Sequence, residues 1–245
     1  MKFWVRNCVL GLGAALATLP VVSSASVIIS GTRVIYPANE SEVIVALRNE
    51  GQTPILAQVW LEKSAEGVRP NKESVPFVLT PPMVRIESGS GQSIRVTQAG
   101  AKELPQDRES VFWFNVLEIP PRDQKGEGLN RVKVAFRSAV KLFYRPSGLP
   151  GNPIEAARGL RWSAVSTGGS YTLRATNSAA YAVNVGQVSV TVGGKTISNI
   201  EGATVLPMQS YDFKLKGLSS MPNEVSYKWV NDYGAGVDQT TPLSR

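Results

Sequence analysis

The sequence has no histidine and only one cysteine in 245 residues. Without histidine there can be no Ser-His-Asp or Cys-His nucleophile, no imidazole zinc site and no haem held by histidine. One cysteine cannot close a disulfide within the chain. Charge is sparse too, at 18% of residues against 42% aliphatic and aromatic, a balance that suits a packed chain and excludes a mainly disordered one. The long apolar run from Val9 to Leu19 falls short of the roughly 20 residues that a membrane helix needs.

That run has the flanks of a secretory leader, with Lys2 and Arg6 before it and the small residues Ser23-Ser24-Ala25 after it. Cleavage after Ala25 is expected, leaving an exported, soluble protein with no membrane insertion. Cys8 would leave with the leader, so the mature chain would carry no thiol. Lys and Arg outnumber Asp and Glu by 26 to 19, but the excess is scattered rather than gathered into a stripe. Nucleic acid is therefore not an expected partner.

From Ser26 onward, short alternating apolar stretches are broken by Gly, Pro, Asn and Ser, which is the pattern of antiparallel β structure. Val43, Val45 and Leu47 alternate with Ile44, Ala46 and Arg48 before the Asn49-Glu50-Gly51 turn. Further strands are expected at 57–63, 77–80, 93–97, 111–118 and 131–144, then at 169–175, 181–192, 196–200, 210–215 and 225–230. Gly193-Gly194 has the composition of a two-residue hairpin turn. No window carries a helical apolar stripe. The breakers from Arg145 to Gly151 read as a hinge between two all-β units of about 100 residues each, which fits a pair of immunoglobulin-like sandwiches.

Two motifs suggest enzymes and fail on geometry. Ser138-Ala139-Val140-Lys141 matches the S-x-x-K of serine-lysine acyltransferases, but it lies in an expected strand, where residues three apart face opposite ways, and the companion S-D-N and K-T-G elements are missing. Gly194-Lys195-Thr196 resembles the end of a P-loop, yet Ser189 stands where the first glycine belongs. The segment 130–144 says more. Val132, Val134 and Phe136 point one way, with Arg131, Lys133, Ala135 and Arg137 the other, and periodicity leaves open whether the apolar side meets its own core or a partner.

Leu104-Pro105-Gln106-Asp107-Arg108-Glu109-Ser110, then Phe112-Trp113-Phe114-Asn115 and Glu118-Ile119-Pro120-Pro121, resemble the signature of periplasmic pilus-assembly chaperones of the PapD type. Thr80-Pro81-Pro82, Lys141-Leu142-Phe143-Tyr144-Arg145-Pro146 and Asn231-Asp232-Tyr233-Gly234 extend the resemblance across both halves. It implies a leader at 1–25, an N-terminal immunoglobulin-like domain at 26–147 containing a donor strand, and a C-terminal one at 148–245, in a boomerang or L shape.

The function implied is non-enzymatic and free of cofactors and metals: a periplasmic protein that folds and caps pilus subunits and delivers them to an outer-membrane usher. By donor-strand complementation, Val132, Val134 and Phe136 would fill the groove of a subunit that lacks its last strand. Arg33 and Lys141 would anchor the subunit's terminal carboxylate. Glu109, Arg145 and Asp232 would form a charge cluster linking the domains. Lys141 is odd-numbered and the groove-fillers are even, so a bulge or strong twist between Phe136 and Lys141 is expected. The free protein could self-associate over its apolar strand. The alternative is a fimbrial structural subunit or another exported immunoglobulin-like binding protein; the two-domain layout and the missing cysteine pair weigh against a subunit.

Overall fold

The computed structural model describes residues 26–64, 75–99, 104–121, 134–167 and 170–244. The expected leader and Val132 lie outside the described residues. Strands of the first half are β1 (Val27–Ile29), β2 (Arg33–Pro37), β3 (Glu42–Asn49), β4 (Ile55–Glu62), β5 (Phe77–Thr80), β6 (Met83–Ile86), β7 (Gly91–Gln98), β8 (Ser110–Ile119) and β9 (Phe136–Arg145). They form two facing sheets, ordered β1-β3-β7-β5 and β2-β9-β8-β4-β6.

The inward-pointing residues of each strand build the first core. Val45 and Leu47 meet Ile94 and Val96 on one sheet, while Phe112, Phe114, Val116, Leu142 and Tyr144 come from the other. Phe77 stacks edge-on against Tyr36 and Phe112, with ring centroids 5.4 and 5.2 Å away, the geometry that aromatic quadrupoles favour.

The second half contains β10 (Arg161–Thr167), β11 (Ser170–Asn177), β12 (Val183–Val192), β13 (Lys195–Asn199), β14 (Ala203–Val205), β15 (Gln209–Lys214), β16 (Glu224–Val230) and β17 (Gly236–Pro242). Its sheets run β10-β11-β15 and β13-β12-β16-β17, with β14 beside β12. Trp162 is the hub of this separate core, its ring 5.1 Å from Tyr227 and 5.4 Å from Phe213. Gly193 and Gly194, at φ 58° and 78°, make the tight turn between β12 and β13, the left-handed pair that such a hairpin requires.

One short helix, α1 (Pro153–Arg158), follows the expected hinge. Asn152 caps it by accepting from Glu155 N at 2.9 Å, Pro153 suits its first turn, and Ala156 and Ala157 are buried. Six residues are too few to display a periodic stripe, which is why periodicity did not point to it.

One expectation is corrected. The pairing of β8 with β9 runs without a break from Ser110 opposite Tyr144 to Glu118 opposite Phe136, so no bulge separates Phe136 from Lys141. Even-numbered Leu142 and Tyr144 continue the face of Phe136 into the first core, and Lys141 stays on the opposite face. The strand also starts later than periodicity suggested: Val134 precedes its first residue.

Candidate functional site

β9 has two neighbours for half of its length and one for the rest. Residues Lys141 to Arg145 lie between β8 and the parallel strand β2, whose Arg33 stands beside Lys141. Phe136 to Val140 pair with β8 alone, so among the described residues their other edge is unmatched. A bare edge of this kind accepts another strand. Val134 and Phe136 are 57% and 37% exposed, at the end of the face that supplies Leu142 and Tyr144 to the core.

The bare edge would let one incoming strand meet both sets of residues without a bulge. An incoming strand that ran alongside β9 toward Lys141 would bond to the edge through its main chain, while side chains on one face met Val134 and Phe136. Its last residue would arrive where β2 begins, within reach of both Arg33 and Lys141 whatever face those side chains take.

Arg33 and Lys141 open onto a cleft of about 580 Å³ between the two sandwiches, walled by Trp113 and Ala139 on one side and by Asn184, Gly202 and Thr204 on the other. Lys141 Nζ donates to Asn184 Oδ1 at 2.8 Å and sits 5.1 Å from the centre of the Trp113 ring. Arg33 Nη1 donates to the Val230 carbonyl at 3.0 Å; its Nε is buried without a partner.

Among the described residues neither cation has a carboxylate bonded to it, and burial is the main reason that both pKa values fall. Lys141 is lowered to about 8 by burial and then by Arg33. Arg33 is also lowered by burial, against the opposing pull of Asp232. Two desolvated cations side by side form a site matched to an anion, Arg offering a fork and Lys a point charge.

Deeper at the hinge, Arg145 brings Glu109 and Asp232 together. Its Nε donates to Glu109 Oε1 at 2.6 Å, and Nη1 and Nη2 grip Asp232 at 2.9 and 3.2 Å. Glu109 reaches across as well: its Oε2 accepts from Ala182 N at 2.8 Å, and its own N–H donates to Ala180 O at 2.9 Å. Burial raises the Glu109 pKa, opposed chiefly by Arg145. Burial alone would lower the Arg145 pKa, but its bonds to Asp232 and Glu109 together raise it.

Asp232 is presented by a tight turn. Asn231 Oδ1 accepts from the N–H groups of Tyr233 and Ala235, both at 3.0 Å. Gly234 has φ +85°, and a Cβ there would lie 2.4 Å from Thr32 Oγ1, so only glycine lets this turn approach the first sandwich. Asp232→Arg should break the bidentate bond and set two guanidinium groups against each other. Small-angle scattering of this variant should give a broader distribution of domain separations than wild type, and a superimposable curve would show that the cluster does not hold the domain angle.

Residue reading alone passed over several parts of the cleft. Asn184 had one available signal: an asparagine between Val183 and Val185 within an apolar strand, where asparagine is depleted. Trp113 lies at an outward position of β8 and could have been suspected on that ground. The Val230 carbonyl carries no side-chain signal at all.

Two family models match the chain. Residues 26–150 match "Pili and flagellar-assembly chaperone, PapD N-terminal domain", and residues 155–241 match "Pili assembly chaperone PapD, C-terminal domain". The chaperone protein FimB/FhaD of Bordetella pertussis is 41% identical over 239 residues, 96% of either chain. The probable fimbrial chaperone YadV of Escherichia coli is 39% identical over 225 residues, 90% of this chain and 91% of its own; its crystal structure gives a TM-score of 0.77, at 38% identity, over 89% of this chain and 100% of that one. A chain from the Salmonella enterica complex of the SafA pilin with the SafB chaperone gives a TM-score of 0.74 at 26% identity, covering 91% of this chain and 99% of that one.

Proposed function

The chain belongs to the PapD family of pilus-assembly chaperones, and from that membership we propose that it captures pilus subunits in the periplasm by lending them the first half of β9. Its role in pilus assembly is that of a chaperone, as in its relatives. The leader at 1–25 is removed after Ala25, and the protein then works as two domains, 26–147 and 148–245. No cofactor enters this function.

The observation that carries the reading is the unmatched edge from Phe136 to Val140, which stops where Arg33 and Lys141 face a cleft. A subunit strand laid on this edge gains main-chain hydrogen bonds, and its groove buries Val132, Val134 and Phe136. Burying three such side chains contributes roughly 5 to 8 kcal/mol before the costs of association. The subunit's terminal carboxylate rests between Arg33 and Lys141. The loaded complex is then handed to an outer-membrane usher.

Co-expression of the full chain with a fimbrial pilin tests this. Affinity purification from periplasmic extract should recover the two proteins in equal amounts, and the pilin expressed alone should be degraded. A pilin that accumulates equally well without this protein, and does not copurify with it, would overturn the reading.

A further inference from the structure

The cleft contains a donor that the two cations do not account for. Asn184 comes from β12, in the second sandwich, and its side-chain oxygen is held twice: Lys141 Nζ donates to it at 2.8 Å and Thr204 Oγ1 at 2.9 Å. An ammonium can only donate, so the amide atom facing Lys141 is necessarily the oxygen. The nitrogen is thereby turned the other way, and among the described residues it meets no acceptor. Asn184 is almost wholly buried yet lines the cleft. An amide with a fixed oxygen and an unspent N–H is a preset donor.

We propose that Asn184 Nδ2 is a third ligand for the subunit's terminal carboxylate, so that the second domain contributes directly to the anchor formed by Arg33 and Lys141. This rests on the carboxylate reading of the cleft given above. Lys141 keeps its bond to Oδ1 while the carboxylate takes the free N–H, and Thr204 keeps the amide from rotating. A carboxylate then has donors on both sides of the cleft, which neither domain could supply alone. The arrangement favours a chain terminus over a neutral end such as an amide, whose own N–H groups would oppose three donors.

The competing interpretation gives the opposite sign. If Asn184 only holds Lys141 in the empty protein, removing it frees the ammonium and strengthens capture. If Asn184 is a ligand, removing it weakens capture.

The test uses the full mature chain and a synthetic peptide of alternating valine and threonine, about ten residues long, made with a free carboxylate and as the C-terminal amide. Asn184→Ala should bind the free acid about ten-fold more weakly or worse, the usual effect of losing a hydrogen bond to a charged group. It should also show a smaller difference between acid and amide than wild type does. Asn184→Asp keeps the shape but sets a carboxylate against the incoming one, and should lose more. In the unaltered protein, the Asn184 side-chain N–H resonances should move on adding the acid and stay in place on adding the amide; this readout needs no variant to fold. Binding of the acid by Asn184→Ala that is equal to or tighter than wild type, or unmoved amide resonances, overturns the assignment of Asn184 while leaving Arg33 and Lys141 in place. Equal binding of acid and amide by the wild-type protein overturns the carboxylate reading itself, and the part of Asn184 with it.

Discussion

Replacing Lys141 by methionine should cost the protein about 100- to 4,000-fold in affinity for a strand ending in a free carboxylate, the consequence of leaving a desolvated anion with half its charge partners. Methionine keeps the apolar stem against Trp113 and deletes the ammonium. A peptide already amidated at its C-terminus should lose little more on the same change, because the two alterations remove opposite ends of one contact. Losses that simply add would show that Lys141 does not read the terminus.

The same residue gives the pH dependence its direction. In the free protein Lys141 titrates at about 8, and a bound carboxylate raises that value by stabilising the ammonium. Affinity should therefore be level below pH 8 and fall as pH rises beyond it, whereas the Lys141→Met profile stays flat.

Stability of the empty protein runs the other way. The unfolded chain keeps its proton up to the ordinary lysine value of 10.5, so between about 8 and 10.5 it binds more protons than the folded chain. Stability from this group then increases with pH. Below pH 8 both states are protonated and the folded state bears the full cost of a buried ammonium. Lys141→Met removes that cost, so the variant should melt at the same temperature as wild type or higher at pH 7, which calorimetry would measure.

Val134→Asp should have a comparable effect on capture with none on folding. The side chain is 57% exposed in the free protein, and substitutions at such positions usually change stability by less than about 0.5 kcal/mol. In the proposed complex it would enter an apolar groove, where an unpaired carboxylate costs several kcal/mol or forces its own protonation. Periplasmic yield of the pilin should collapse. Val78, also about half exposed at 53% but on the opposite sheet, gives the control: Val78→Asp should leave pilin yield unchanged. Normal yield with Val134→Asp would remove this face from the contact, and an unfolded variant would assign Val134 to the core.

Most strands that could be read from the sequence are those with one buried face. β3, β7, β12 and β16 alternate because every second side chain enters a core, and the structure places them within a few residues of where periodicity does. β17 was missed for the converse reason. It is an edge strand, Gly-Val-Asp-Gln-Thr-Thr-Pro, with no fully buried residue; its half-buried alternate positions are Val237, Gln239 and Thr241, so residue type shows no apolar alternation. β10 was lost because, among its described side chains, only Trp162 is fully buried.

At the site the division is similar. Side chains such as Arg33 or Asp232 mean nothing locally; each is an ordinary strand or turn charge until the chain folds and sets it opposite residues about 100 or more positions away. Only the resemblance to a family pointed to them. The bare edge of β9 could not be read at all, because it depends on where β2 stops rather than on anything in β9.

The place where β2 begins has a consequence for what the protein can measure. On the proposed mode of capture, a strand running along β9 would end against Arg33, where β2 already fills the next position. The chain end thus meets a stop, and the distance from that stop back to Phe136 is fixed at about five residues of extended chain, roughly 17 Å. One residue too many or too few at the terminus slides the strand by one step, and a one-step slip turns every side chain to the wrong face. On that mode of capture, the protein would therefore act as a length gauge that counts from the last residue of its client.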